Sequence, residues 1–148
     1  MTERQVSDIV KRFQSIDLEK VVIDASRQEK QSIIDLQEEQ LSDGLSSKGD
    51  ELNPPYTKRT IEIRKGLGLR TDVVTLQRTG AFRRREYVKF AREGFEVSSR
   101  DKKTADLVAK YHSRTGGEVF GLSPESQAIF GAIILPLIQD KFRGRLLR

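Results

Sequence analysis

The sequence predicts an α+β fold with long N-terminal helices, a small antiparallel sheet built around a β-hairpin, and a long C-terminal helix packed on that sheet. Three observations support this prediction. Apolar residues recur at helical spacing near the N-terminus, and from Phe82 onward they alternate with polar residues, as in a strand. A Ser-Pro-Glu-Ser motif at 123–126 then starts a long apolar helix. The 148 residues include no cysteine, so we expect one domain that folds without disulfides.

Two helices are predicted at the N-terminus. The first, over residues 3–16, follows a Thr-x-x-Gln sequence that resembles a capping box. Asp17 then caps a second helix over residues 18–41, which would be roughly 36 Å long at about 1.5 Å per residue. This length is compatible with two interpretations of residues 1–43: a solvated outer helix of the domain, or a helical arm that packs on a neighbouring copy.

Residues 44–57 are predicted to be a loop or linker, because they place two glycines and two prolines between polar residues. The charge changes sign here, since residues 1–56 carry 7 Lys+Arg and 12 Asp+Glu, whereas residues 57–148 carry 20 and 10. Such a division of charge suits nucleic-acid binding, and it equally suits head-to-tail assembly of copies. We expect residues 58–148 to form the α+β core of the domain.

Three helices are predicted in this core. Two short ones, over residues 58–66 and 102–112, each follow a residue that can cap a helix. The last runs over residues 124–146, and Pro136 inside it predicts a kink. The apolar residues that we expect this helix to bury are Ile129, Ala132, Ile133, Leu137 and Phe142.

A β-hairpin is predicted between the two short helices. Thr79-Gly80 is expected to be the structural turn that opens the sheet. The chain then alternates, and Glu93-Gly94 can supply the two-residue turn of the hairpin. In that register Phe90 faces Val97, and the hairpin has one apolar face.

The outer face of this hairpin is the candidate functional surface. The residues expected on it or at its mouth are Arg83, Arg84, Arg85, Tyr87 and Lys89. Three interpretations stay open: a solvated basic face, a docking face for an acidic protein surface, or a nucleic-acid contact through phosphates and base stacking. The candidate acidic complement, in another copy, is the segment with Asp35, Glu38 and Glu39.

Catalysis, metals and membranes receive no support from the sequence. His112 is the single histidine and cysteine is absent, so we predict no metal site. Nothing suggests a nucleophile or an acid–base pair, and we expect no enzyme, no catalytic residues and no cofactor. The longest apolar run, 132–138, is far shorter than the roughly 20 residues that span a bilayer. We therefore expect no membrane contact, and no signal peptide.

Five parts follow one another in the second half of the chain: 71-TDVVTLQRTGAF-82, the basic hairpin, 101-DKKTADLVAKY-111, 118-EVFGLSPES-126 and the terminal helix. This order resembles that of small virion proteins of tailed bacteriophages. In particular it is similar to the neck and tail-completion proteins of the head-tail connector, over roughly residues 57–148. The sequence departs from the group at Arg83–Arg85, where small polar residues are usual. Residues 37–52 and the Thr-Gly turn are also similar to uncharacterised proteins of phages that infect Bacteroidetes.

The resemblance implies a structural role without chemistry. Proteins of that group assemble as rings at the head-tail junction or upper tail, where they join portal to tail around the DNA path. The implied partners are copies of the chain, the portal and other neck or tail proteins, with packaged DNA nearby. The implied location is the virion, after assembly in the host bacterial cytoplasm. Two alternatives stay open: a nucleic-acid-binding module that uses the basic hairpin face, and an adaptor whose N-terminal helix docks into a partner's groove.

Overall fold

The computed structural model describes residues 2–77 and 81–146. Over these residues the fold is α+β, as predicted, with seven helices and two separate two-stranded antiparallel sheets, in which β1 pairs with β4 and β2 with β3. None of the helices in this part of the chain combines the length and the apolar character that crossing a bilayer requires. The elements are α1 (Glu3–Gln14), α2 (Leu18–Gln28), α3 (Lys30–Ser42), β1 (Leu52–Asn53), α4 (Lys58–Gly66), α5 (Ala81–Arg84), β2 (Glu86–Ala91), β3 (Gly94–Ser99), α6 (Thr104–Lys110), β4 (His112–Ser113) and α7 (Pro124–Leu146).

The predicted helix starts are confirmed where a side chain caps them. The Thr2 hydroxyl accepts a hydrogen bond from the backbone N–H of Gln5, and the Gln5 side chain accepts one from the N–H of Thr2. These two bonds complete the capping box before α1. The carboxylate of Asp17 caps α2, and the hydroxyl of Ser123 accepts from the N–H of Ser126 at the start of α7.

The prediction of a single long helix over residues 18–41 is wrong. It is divided into α2 and α3, and the break is at Glu29, which has φ −104° and ψ 29°. The break falls within residues 26–32, which contain no apolar side chain that could anchor a continuous helix. The start of α6 also differs from the prediction, because Asp101 first closes a turn and the helix begins at Thr104.

Two apolar clusters form the core. The first joins α2, α3, the β2–β3 hairpin and α7 through Ala25, Ile33, Leu36, Val88, Val97, Leu122, Phe130 and Ile134. The second lies around the end of α3, β1 and α5, and it contains Leu41, Leu52, Val74, Phe82, Tyr111 and Val119. Both α2 and α3 therefore belong to the core, whereas α1 has no buried residue.

Two buried glutamines tie α3 to the segment that leads into α7. Gln37 accepts a hydrogen bond from the N–H of Gly121 at 2.9 Å and donates one to the carbonyl of Val119 at 3.2 Å. Gln40 accepts from the N–H of Ser123 at 2.8 Å and donates to the carbonyl of Gly121 at 2.8 Å. Both amides are thus satisfied inside the core, as buried polar groups must be.

The hairpin has the predicted apolar face but a different register. Val88 pairs with Val97 and Phe90 pairs with Phe95, so the two-residue turn is Arg92-Glu93. The predicted pairing of Phe90 with Val97 is wrong. The observed register pairs apolar with apolar side chains on the core face, whereas the predicted register would have placed Val88 opposite Ser99.

The tip of the hairpin reaches the start of α2. The Nε atom of Arg92 lies 3.0 Å from a carboxylate oxygen of Glu19, and one of its terminal nitrogens lies 3.2 Å from a carboxylate oxygen of Asp17. The Arg92 side chain is 75% exposed, so each ion pair contributes little free energy. The two pairs nevertheless connect the hairpin to the junction between α1 and α2.

The buried face of α7 also differs from the prediction. Its buried residues are Ser126, Phe130 and Ile134, whereas Ile129 is 45% exposed. The helix is apolar around most of its circumference, so hydrophobic periodicity could not identify the face that packs. The predicted burial is therefore wrong for Ile129 and Ala132, while Ile133, Leu137 and Phe142 are partly buried.

Candidate functional site

The β2–β3 hairpin has two chemically different faces. Glu86, Val88 and Phe90 point toward the core, and the intervening Tyr87 and Lys89 point outward. The outward alternation continues beyond the strands, because the N–H of Arg100 donates to the carbonyl of Arg85 at 3.0 Å. We call the surface formed by Arg85, Tyr87, Lys89, Glu96, Ser98 and Arg100 the outer face.

The outer face is basic and partly fixed in position. The guanidinium of Arg100 lies over the ring of Tyr87, 4.7 Å from the ring centre, and this cation–π contact restrains both side chains. Lys89 is opposite Glu96 in the ladder, which offsets one of the positive charges. Arg85 and Arg100 are exposed at the end of the hairpin that lies away from its turn. This surface can attract an anionic partner and offer it an aromatic contact.

Arg83 does not share this face, and the prediction that placed it there is wrong. The chain is still helical in α5 up to Arg84, so strand alternation begins only after it. The half-buried guanidinium of Arg83 donates to the Ser42 hydroxyl at 2.9 Å and to the Thr75 carbonyl at 3.4 Å. Burial lowers the pKa of Arg83. Arg83 therefore holds α5 against the end of α3, while Arg84 is exposed.

Among the strand residues that the structure describes, Glu86 is the one charged residue that is buried. Its side chain is on the core face, the residue is 9% exposed, and neither carboxylate oxygen has a hydrogen-bond partner among the described residues. Burial, and then the charge of Glu38, raises the pKa of Glu86 to about 8, although Arg83 acts in the opposite direction. The sequence analysis missed this residue, although its alternation with Val88 and Phe90 is a signal that could have placed it inward.

The acidic segment of α3 does not present one surface. Glu38 is half-buried, and its charge acts on both Arg83 and Glu86 of the same chain. Asp35 is exposed and accepts a hydrogen bond from the side chain of Gln31 at 2.9 Å, and Glu39 is also exposed. The structure thus brings one of the three predicted acids to a predicted arginine, within one chain. The predicted turn residues Thr79 and Gly80 lie outside the described residues.

A pocket of about 610 Å³ adjoins the outer face. Its lining includes the cations Arg64, Arg85, Lys102 and Lys103 and the acid Asp101. The apolar lining includes Ile63 of α4, Phe82 of α5, Leu107 of α6 and Tyr111, which follows α6. Such a combination suits a group that has both negative charge and apolar surface. Its residues come from separate segments of the chain, so no local motif could reveal the pocket.

Within residues 2–77 and 81–146 there is no group of three or more His, Asp or Glu side chains that could hold a metal ion. No family model, curated protein or solved structure matches this chain. Its function therefore has to be inferred from the outer face, the pocket beside it and the other exposed surfaces of the fold.

Proposed function

We propose that this chain is a structural subunit of a tailed-bacteriophage virion. In this role copies of the chain form a ring at the head-tail junction or upper tail and join portal to tail around the DNA path. The order of the sequence motifs motivates the proposal. The structural observation that carries it is the outer face, where exposed cations and an aromatic ring lie on a rigid hairpin whose other face is part of the core.

The outer face has the composition of a protein contact surface. Tyr and Arg are enriched at protein interfaces, because both combine apolar area with strong hydrogen bonding. Tyr87 and Arg100 are already stacked, so binding would order fewer side chains. The basic surface favours an acidic neighbour, and the adjoining pocket offers apolar area for one of that neighbour's side chains. We therefore assign the outer face to contact with an acidic surface of a neighbouring virion protein.

Quantitative mass spectrometry of purified phage particles tests the proposal. Normalised to the major capsid protein, the chain should be present at about six or about twelve copies per particle, since closed rings hold a fixed number of subunits. Absence of the chain from particles would remove the structural role.

Charge reversal on the outer face tests the surface itself. A phage that encodes Arg85→Glu, Lys89→Glu and Arg100→Glu should lose the chain from its particles, while the purified variant keeps the circular dichroism spectrum of the native fold. Arg83 is left unchanged because it is an internal contact. The matched control is Lys20→Glu, Lys30→Glu and Arg114→Glu, three exposed residues elsewhere. Normal copy numbers in both phages would contradict the assignment.

A nucleic-acid-binding module is the second candidate function, and the stacked Arg100–Tyr87 pair favours it, because such pairs can extend base stacking. This candidate predicts affinity for DNA or RNA that falls steeply with salt, by about one unit of log-log slope per phosphate contacted. Binding that is weak at low salt, or that survives the triple charge reversal, would exclude it.

A further inference from the structure

An open groove of about 1060 Å³ lies between α2, the tip of the hairpin and the first half of α7. We call it the α2–α7 groove. Its apolar lining includes Leu18, Val22, Phe95, Phe120, Phe130 and Ile134. A soluble chain rarely leaves such a concave apolar surface without a partner.

The residues that line the α2–α7 groove are more acidic than basic. They include the four glutamates Glu19, Glu93, Glu96 and Glu118. The groove also contains two cations. Lys48 donates to the Thr115 carbonyl at 2.8 Å, and Arg92 forms ion pairs with Asp17 and Glu19, so Glu19 is already paired. The four glutamates still outnumber the two cations. An occupant with apolar side chains and positive charge is therefore favoured.

A glycine on α7 keeps the groove open. Gly131 lies in the helix interior and lines the groove, and a Cβ atom added there would meet no atom within 4 Å. Glycine weakens a helix relative to alanine, and packing within the chain does not require it here. A backbone without a side chain does allow another chain to approach closely.

A basic surface with exposed apolar side chains, which complements the acidic groove, lies near the two ends of the chain. We call α1 together with residues 139–146 of α7 the terminal arm. Its two helices meet where the rings of Phe13 and Phe142 lie 6.0 Å apart and Arg12 donates to the carbonyl of Leu146 at 3.1 Å. On α1, Val6 and Val10 are each 47% exposed and Phe13 is 59% exposed. The basic residues of the arm outnumber its acids, with Arg4, Lys11, Arg12, Lys141, Arg143 and Arg145 against Glu3, Asp8 and Asp140.

We propose that the terminal arm of one copy docks into the α2–α7 groove of the next copy. The exposed apolar stripe of α1 covers the apolar lining, and the cations of the arm face the glutamates of the groove. The occupant is a second copy because the chain's own arm is held on the end of α7 by the Phe13–Phe142 and Arg12–Leu146 contacts. Arm and groove are different surfaces, so the contact is head-to-tail and can close into a ring. This contact rests on the proposed function, in which copies assemble.

Two variants separate the two sides of the contact. Val6→Glu with Val10→Glu places negative charge on the arm, and the fold tolerates it because α1 has no buried residue. Gly131→Leu fills the groove, and the fold tolerates it because the site is open and leucine favours the helix. By analytical ultracentrifugation the wild-type chain should form a large oligomer, and each variant should be a monomer. The controls, Ser7→Glu with Gln14→Glu on the polar side of α1 and Gly66→Leu at the open end of α4, should assemble as the wild type does.

Mixing the two variants gives the sharpest test. The arm variant keeps an intact groove and the groove variant keeps an intact arm, so an equimolar mixture has one working contact per pair and should form a 1:1 dimer. A mixture that stays monomeric would overturn the arm–groove contact. A wild-type oligomer that both variants leave intact would also overturn it, and the proposed function would stand. A wild-type chain that is monomeric at every concentration would overturn the arm–groove contact, and its copy number in purified particles would then decide the proposed function.

Engineered cysteines distinguish a second copy from the chain's own arm. The sequence contains no cysteine, so a chain with both Val10→Cys and Gly131→Cys contains only the two engineered thiols. Chains with Val10→Cys alone or Gly131→Cys alone control for disulfides between identical positions, which can give a covalent dimer but no longer ladder. Oxidation should produce a ladder of covalent oligomers on a non-reducing gel. A compact monomer with an internal disulfide would show that the arm closes over its own groove, and it would overturn the proposal.

Discussion

The side-chain oxygen of Gln40 accepts a hydrogen bond from the backbone N–H of Ser123 at 2.8 Å, so a residue of α3 fixes the residue that caps α7. Further bonds join the Gln40 amide to the carbonyls of Ser46 and Gly121 and to the hydroxyl of Ser126. One buried side chain thus joins α3 to the loop at Ser46 and to residues 121–126, which are far away in sequence. The helices on both sides of the hairpin depend on it.

Replacement of Gln40 by methionine should lower the free energy of unfolding by about 2–4 kcal/mol, because the similar shape removes the bonds and leaves buried partners unsatisfied. Urea denaturation measures the change. The control is Gln31→Met, since Gln31 is exposed and bonds only the Asp35 carboxylate among the described residues. The control should change stability by less than about 0.5 kcal/mol. Equal effects of the two substitutions would mean that the buried network contributes nothing.

Arg64 should not tolerate lysine. The residue is 5% exposed. Its guanidinium donates to the carbonyls of Arg70 and Gln77 at 2.8 Å each and lies 4.6 Å from the centre of the Tyr56 ring. A lysine ammonium cannot replace both the several hydrogen bonds of the planar guanidinium and its stacking on the tyrosine ring. Arg64→Lys should therefore lower the free energy of unfolding by about 2–3 kcal/mol, measured by thermal or urea denaturation. Arg59→Lys, at an exposed position of the same helix, should be neutral. A neutral Arg64→Lys would contradict the structural role of Arg64.

The buried carboxyl of Glu86 should make the protein less stable as pH rises. Burial raises its pKa from 4.5 to about 8 in the folded chain. Between these values the folded state binds more protons than the unfolded state, so the free energy of unfolding decreases as pH increases. For one carboxyl the slope is at most about 1.4 kcal/mol per pH unit. Below pH 4.5 both states are protonated and the contribution is fully present.

Glu86→Gln should remove this dependence, because glutamine imitates the protonated acid. Urea denaturation between pH 5 and pH 8.5 should show the variant gaining stability relative to the wild type as pH rises. Glu96→Gln, at an exposed position of the same hairpin, controls for the loss of a negative charge. Parallel curves for Glu86→Gln and the wild type would show that Glu86 is ionised in the folded chain.

Gly117 should resist substitution for steric reasons. A Cβ atom at this position would overlap the hydroxyl of Ser46 and lie 2.6 Å from the hydroxyl of Ser113. Gly117→Ala should therefore destabilise the fold by about 1–3 kcal/mol, since neither serine can move without breaking other contacts. Gly144→Ala should instead be neutral or stabilise by up to about 1 kcal/mol, because its Cβ meets no atom within 4 Å and alanine favours the helix. Melting temperatures of the two variants compare these effects directly.

The sequence predicted the starts of α1, α2, α4 and α7 because helix caps are local. The Thr2–Gln5 box, Asp17, Thr57 and Ser123 each bond a backbone N–H within three residues, so the chain nearby contains the whole signal. The two faces of the hairpin were also predictable, since strand alternation has a period of two.

The features that the sequence did not predict depend on contacts between segments that are separated along the chain. The buried face of α7 is selected by α2 and α3, because the helix is apolar on several sides. Arg83 points inward because the Ser42 hydroxyl, 41 residues away in sequence, and the Thr75 carbonyl, 8 residues away, accept its hydrogen bonds. The α2–α7 groove combines α2, the hairpin and α7, so periodicity in any one element could not predict it.

The ion pairs of Arg92 lie at the edge of the α2–α7 groove. They join the hairpin tip to Asp17 and Glu19, at the junction between α1 and α2, and all three side chains are exposed. Exposed ion pairs are weak and screened by salt, so this link weakens as ionic strength rises. Arg92 and Glu19 also line the groove. If copies join through the proposed arm–groove contact, these two charges would face the bound arm, and the strength of the contact would depend on salt.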